Sequence, residues 1–155
     1  MKIAIITTHY ANNYGALLQT YALQRFLNEN LKQEAEVLAY FPPWYQNSWK
    51  IMKKPSTIRD LMAQIYQLIH LKNTIGFIKR KRKNQDFILH FIKRTKSYYS
   101  SEEIRRDHPQ YDCLICGSDQ IWNLKMHPGG EPAFFLDFAS GWENTKKIAY
   151  APSIA

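Results

Sequence analysis

Cysteine is scarce in this chain, and so are several other features that would fix its role at once. Only two of the 155 residues are cysteine, which excludes a disulfide framework. No apolar run approaches the ~20 residues that a bilayer-spanning helix needs, and there is neither an internal repeat nor a low-complexity tract. The N-terminus lacks the pattern of a secretory leader, because Lys2 runs straight into a strand-length apolar segment that ends in Thr7-Thr8-His9. The expectation is a soluble, cytoplasmic protein. Acidic residues are also few, 13 against 21 lysines and arginines, giving a formal net charge of +8. Much of that excess lies between Lys50 and Arg106. Such a balance speaks to partners and not to fold, and it leaves polyanionic saccharide, phosphorylated substrate, membrane surface and nucleic acid all open.

What is present is a core. With 45% hydrophobic and 14% aromatic side chains, the chain is long enough for one compact domain. Its organising stretch runs from Lys2 to Leu31. Ile3, Ala4, Ile5, Ile6 and Thr7 make a short β-branched run, the composition of a parallel strand covered on both faces. Ala16, Leu17, Leu18, Tyr21, Ala22, Leu23, Phe26, Leu27 and Leu31 then recur at spacings of three and four, predicting a helix with that face on a sheet. Glu36 to Tyr40 reads as a second strand, stopped by Phe41-Pro42-Pro43, and strand, helix, strand in this span predicts a βαβ unit. Trp44 to Lys54 reads as loop.

Ser56 caps a predicted helix through His70, and Ile75 to Lys93 predicts another, with Phe77, Ile78, Phe87, Ile88, Phe91 and Ile92 as its stripe. This pair is expected as a helical insertion, about 55–95, packed at the edge or top of the sheet. Ser100 or Ser101 is expected to cap a short helix with Glu102 and Glu103 in its first turn. Tyr111 to Cys116 predicts a third core strand; Ala133 to Phe138 and Lys147 to Ala151 are further strand candidates. The fold class expected is therefore α/β, a Rossmann-like parallel sheet with a helical insertion. Because the chain stops directly after a strand, with no helix to cover it, we expect it to be cut at 155.

Two polar loops at strand ends are the candidate binding sites. In the first, His9 to Gly15, a strand's carboxyl end meets a helix N-terminus. It lacks the glycines of a Walker loop or a dinucleotide fingerprint. Either Asn12 or Asn13 simply caps the helix, or the loop touches ligand, with Gly15 admitting close approach and Asn13 and Gln19 bonding hydroxyls. In the second, Gly117-Ser118-Asp119-Gln120, Asp119 reads first as a cap, and Gln120 and Asn123 as ligand contacts. Trp122 is either core or a stacking surface for a sugar ring. Cys113 and Cys116 fall on opposite faces of a strand at that spacing, so they read as core thiols and not as a redox or zinc site. His9, Ser118 and Asp119 do not make a hydrolase triad without nucleophile-elbow glycines. His70, His90, His108 and His127 show no ligand spacing, so no metal is expected. The Lys79 to Lys83 run is either a solvated face or an attraction for an anionic surface. Its neighbouring aromatics sit at helical spacing as a core stripe, so nucleic acid is not an expected partner.

Four blocks taken together resemble the polysaccharide pyruvyl transferase family: NNYGALLQTYALQ at Asn12 to Gln24, YDCLICGSDQIWN at Tyr111 to Asn123, FFLDF at Phe134 to Phe138 and KKIAYAPSIA at Lys146 to Ala155. The intervening FILHFIKRTKSYYSSEEI is similar as well. The resemblance covers nearly the whole chain and implies an enzyme that moves pyruvate from phosphoenolpyruvate onto a sugar as a cyclic ketal, in the making of a bacterial-type exopolysaccharide. It implies one half of a two-domain GT-B-like fold, with no cofactor beyond phosphoenolpyruvate as donor substrate. The catalytic residues are expected in a C-terminal half, since no position here matches the family's donor-binding arginines or catalytic histidine. This segment would supply the acceptor side of the cleft through His9, Asn12, Asn13, Gly15, Gln19, Ser118, Asp119, Gln120, Trp122 and Asn123. Expected partners are a saccharide acceptor, lipid-linked or free, the C-terminal half, and anionic lipid at the membrane's inner face through Lys79 to Lys83. The alternative is a non-catalytic Rossmann-like module holding an anionic glycan or phosphate ligand. A third reading is a basic protein of nucleic acid or membrane surfaces.

Overall fold

A computed structural model describes residues 1–42, 45, 57, 59, 62, 71–123 and 130–154. Five strands, β1 Lys2–Ile6, β2 Glu34–Tyr40, β3 Arg94–Tyr98, β4 Cys113–Asp119 and β5 Lys146–Pro152, form one sheet in the order β3-β2-β1-β4-β5. Every pairing is parallel. The central strands carry the β-branched runs, because a parallel strand flanked on both sides must be apolar on both faces. Ile3, Ala4, Ile5 and Ile6 of β1 are all buried, each large side chain contributing about 1.5–3 kcal/mol relative to exposure.

Helix α1, Tyr14–Arg25, continues into a wider π-helical turn, Phe26–Asn30. It buries Ala16, Leu17, Thr20, Gln24 and Leu27. The predicted apolar stripe is thus partly wrong. Leu18, Phe26 and Leu31 face solvent, and two polar residues take the inner face because each has a partner there: Thr20 Oγ1 donates to the Ala16 carbonyl at 2.8 Å, and Gln24 bonds the backbone of Lys93. Asn28 likewise clamps the start of β2, donating to the Ala35 carbonyl at 3.1 Å and accepting its N–H at 2.7 Å.

Helix α2, Leu71–Phe91, is the crossover from β2 to β3. It therefore continues the βα alternation that we expected an insertion to interrupt. The Ser56-capped helix and the 44–54 loop lie outside the described residues, apart from Tyr45, Thr57, Arg59 and Met62. Helix α3, Ser101–Asp107, is capped by Ser100, whose hydroxyl accepts the Glu103 N–H at 3.1 Å, while the Glu103 carboxylate accepts from Tyr99 N–H at 2.7 Å. The strand expected at Ala133 to Phe138 is instead two 3₁₀ turns, Pro132–Phe135 and Asp137–Ala139. Pro132 opens the first and Leu136 turns left-handed (φ 60°) between them, so the apolar run folds back into the core.

Two cores result. Ala4, Ile6, Leu38, Tyr40, Leu114 and Cys116 pack with Ile104 of α3 and with Phe134 and Phe138 of the turns. Ile3, Ile5, Val37, Cys113 and Ile115 pack with Leu17 and Leu27 beneath α1 and with Ile88 of α2. Cys113 and Cys116 fall one to each core, both buried, as their spacing predicts. At the edge, β5 is exposed along most of its length. It approaches β4 closely: Gly117 has φ +130°, and a Cβ there would stand 1.9 Å from the Tyr150 carbonyl oxygen.

Candidate functional site

The strand order reverses between β1 and β4, and in open α/β sheets the crevice outside the carboxyl ends at such a point is where ligands bind. The two loops singled out from the sequence leave the sheet there. In the first, Ala11 N–H donates to the Thr8 carbonyl at 2.9 Å, closing a tight turn. Asn13 is the cap of α1: its side-chain oxygen accepts the Gly15 N–H at 2.8 Å, an end left open by the helix geometry. Asn12 accepts from the Asn84 amide of α2 at 2.7 Å, so it ties the loop to the crossover helix. Gly15 and Gln19 are exposed on α1.

In the second loop the Gly117–Ser118 peptide is cis. Ser118 is half-buried, Gln120 is exposed, and Asp119 ends β4. Gln120 accepts from Asn123 twice, from its N–H at 3.0 Å and from its amide at 3.2 Å, which closes this loop on itself. Asn123 is buried. Trp122 donates to the Phe134 carbonyl at 3.0 Å and stacks on Phe135 with 5.3 Å between ring centroids. The same carbonyl accepts the Cys116 thiol at 2.6 Å. Burial pushes that thiol up to about 11, so it stays protonated as a donor. This second loop is therefore braced from beneath by the 3₁₀ turns.

Of the sequence-predicted residues, His9 belongs to the wall of the cavity along α2. A pocket of about 530 Å³ opens along α2 and the carboxyl ends of β1, β2 and β3, and its walls include His9, Tyr10, Phe41, Tyr45, Arg94 and Tyr99. Tyr10, Phe41 and Tyr99 each follow a different strand. Their rings form a continuous wall: Tyr10 lies 4.0 Å from Tyr45 and 5.9 Å from Phe41, and Phe41 lies 5.9 Å from Tyr99. Tyr45 also donates its hydroxyl to the Tyr10 carbonyl. Sequence reading missed this wall, because its members are separated along the chain and no local pattern joins them. The available signal was an aromatic directly after each of two strands, Phe41 and Tyr99, and another, Tyr10, four residues past the end of β1.

Behind this wall some buried polar groups are incompletely satisfied. His9 is fully buried, and its Nδ1 donates to the Thr7 carbonyl at 3.3 Å. Among the described residues its Nε2 has no hydrogen-bond partner, and neither has the buried Tyr10 hydroxyl or Asn84 Oδ1. An unpaired buried group of this kind costs about 1–3 kcal/mol. Burial lowers the His9 imidazole to about 4, with the Arg94 charge adding to the effect against the Thr7 hydrogen bond; the ring is neutral at pH 7. Burial likewise raises the Tyr10 phenol, helped by Tyr45 and Glu131, so it too stays protonated. Nearby, the buried Glu131 carboxylate accepts from the Tyr40 hydroxyl at 2.6 Å.

Among the described residues no group of three or more His, Cys, Asp or Glu is arranged to hold a metal, and no helix is long and apolar enough to cross a membrane. Sheet order and connections together define a Rossmann-like α/β domain with a cavity at the carboxyl edge of its sheet. Within that class the chain belongs to the polysaccharide pyruvyl transferase family, whose sequence model, described as "Polysaccharide pyruvyl transferase", matches residues 13–155. No curated protein and no solved structure matches the chain.

Proposed function

We propose that this chain supplies the acceptor side of the cleft in an enzyme that transfers pyruvate from phosphoenolpyruvate to a sugar of a surface polysaccharide, or of its precursor, as a ketal. Family membership supports the transferase class. The observation that carries the acceptor-side reading is the cavity, with its ring wall beside the polar residues Gln85, Asp86 and Arg94. Aromatic faces next to hydroxyl-bonding groups suit a saccharide.

The reaction protonates the enolpyruvyl methylene and lets a sugar hydroxyl attack the cationic carbon that results, while phosphate leaves. It needs a general acid and a cluster of positive charge on the phosphate. His9 is a poor acid at neutral pH, because burial keeps it without a proton to give. The described walls of the cavity offer Arg94 as their cation. Donor binding and proton delivery are therefore assigned to residues outside this cavity, in keeping with a C-terminal half that faces it. Contact with anionic lipid at the inner face of the membrane is assigned to the basic run of α2, where Lys79, Arg80, Arg82 and Lys83 are exposed.

The test is phosphate release. The product of the whole reading frame is incubated with phosphoenolpyruvate and with glycan precursor from the source cell, and inorganic phosphate should appear only when both are present. The aromatic wall of the cavity also suits a second reading, a binding module without catalysis. Glycan binding without any phosphate release decides for that module.

A further inference from the structure

Helix α2 is longer than the strands it joins, and its two halves differ. Its 21 residues span about 31 Å, against about 17–23 Å for strands of five to seven residues. Over 75–92 the buried positions are Asn84, Ile88 and Ile92, each four residues from the next. Ile88 and Ile92 pack with Ile3, Ile5 and Val37, and Asn84 donates to Asn12 in the loop after β1 at 2.7 Å. A crossover between parallel strands runs back against their direction, so the part of α2 before Asn84 points out from the carboxyl edge of the sheet. None of residues 75–83 is buried, and at 1.5 Å per residue they carry the helix about 13 Å beyond Asn84.

This overhang has an apolar end and a cationic collar. Ile75 and Phe77 are 48% and 42% exposed. Lys79 to Lys83 follow, and five successive helical positions take in the whole circumference; Lys79, Arg80, Arg82 and Lys83 are exposed and Lys81 is half-buried. From Leu71 to Gln85 there is no aspartate or glutamate. We propose that the overhang of α2 docks the protein on an anionic lipid bilayer, Lys79 to Lys83 meeting the headgroup phosphates and Ile75 and Phe77 entering the acyl boundary beneath them. The inference deepens the lipid contact assigned to α2 above and rests on that reading.

The neighbouring apolar groups carry it, since charge alone would serve any polyanion. Ile75 and Phe77 gain nothing from the phosphates of a nucleic acid. In a bilayer their apolar area leaves water, while the lysine and arginine stems reach back to the headgroups. The collar also leads directly to the cavity, which is lined by Gln85, Asp86, Ile88 and Leu89 of the same helix. Docking by the overhang therefore holds the cavity within about 10 Å of the headgroups along the helix axis.

The experiment is co-sedimentation of the whole chain with vesicles of phosphatidylglycerol and phosphatidylcholine in equal parts and with vesicles of phosphatidylcholine alone, beside anisotropy with a DNA duplex. The chain should sediment with the mixed vesicles, come off as salt is raised, and ignore phosphatidylcholine alone. Lys79→Ser combined with Arg82→Ser should weaken that binding about 25-fold, about 5-fold for each cation. Ile75→Ser keeps every charge and should weaken it about 5-fold or more, with DNA affinity level. Arg106→Ser, at an exposed cation of α3, should bind like the parent. These positions are exposed, so the variants keep the parent's melting temperature.

The docking surface is overturned if mixed vesicles are not bound, if Arg106→Ser costs as much as the collar variant, or if Ile75→Ser has no effect. Tighter binding to DNA than to the vesicles overturns it in favour of nucleic acid. Vesicle binding that the collar and Ile75 variants both leave intact puts lipid contact elsewhere and removes the overhang alone. Phosphate release by the product of the whole reading frame is read in parallel. Release without vesicle binding removes the docking surface alone, and vesicle binding without release removes the transferase reading alone.

Discussion

Gln24 holds the backbone of Lys93 at both ends of its side-chain amide, donating to the carbonyl at 2.7 Å and accepting the N–H at 3.0 Å. The two residues are 69 positions apart, and the pair fastens the middle of the organising helix to the entry of β3. Replacing Gln24 with Leu keeps the volume and removes both bonds. The Lys93 carbonyl retains the Val37 N–H at 2.9 Å, so the N–H is the group left unpaired. Gln24→Leu should lower stability by about 1–2 kcal/mol in urea unfolding. An unchanged midpoint would mean that water satisfies the Lys93 N–H just as well.

Gly117 has no room for a side chain. Its φ of +130° and the 1.9 Å approach of the Tyr150 carbonyl to a would-be Cβ act together. Gly117→Ala should destabilise by about 3 kcal/mol or more, lowering soluble yield and melting temperature. The displaced element should be β5, so amide exchange ought to quicken there before it does in β1.

Much of this architecture was legible because apolar periodicity and strand ends coincide. Ile3 to Ile6 could only be a covered parallel strand, and Ser100 with Glu103 spelled a helix start. Three misreadings have physical causes. β3, with the sequence Arg94-Thr95-Lys96-Ser97-Tyr98, is an outer strand with little burial, so it has no hydrophobic signature. FFLDF reads as a strand by composition, yet Pro132 and the left-handed Leu136 override that preference. Thr20 and Gln24 are buried through hydrogen bonds, which no hydropathy pattern registers. The position of the two loops at strand ends was legible, but the ring wall exists only once three parallel strands bring their ends together.

His9 makes folding sensitive to mild acid. Its folded value of about 4 lies below the ordinary 6.5, so between these values the unfolded chain takes up a proton that the folded one refuses. The neutral ring's contribution is complete above about pH 6.5 and is lost as pH falls toward 4. The expected loss is about 3 kcal/mol. Urea midpoints of the native chain and of His9→Gln, followed from pH 7 to pH 4, should converge as the pH drops. Parallel curves would show that His9 titrates freely in the folded protein.

Asn13 separates a cap from a contact. Asn13→Ala removes the acceptor for Gly15 N–H and should cost about 1 kcal/mol, whereas Asn13→Ser keeps an acceptor and should be nearly neutral. If capping is its whole role, both variants bind glycan like the parent. A loss of affinity in Asn13→Ser, with stability intact, would assign the side chain to the ligand as well.

The placement of Cys113 and Cys116 on opposite sides of one strand has a practical consequence. Each thiol is sealed within a different layer, so the rate at which an alkylating reagent reaches each one is a separate clock for the opening of that layer. Equal rates mean that the sheet comes apart as one body. Faster labelling of Cys116 means that the layer of 3₁₀ turns, which braces the second loop, lifts away while the organising helix stays in place.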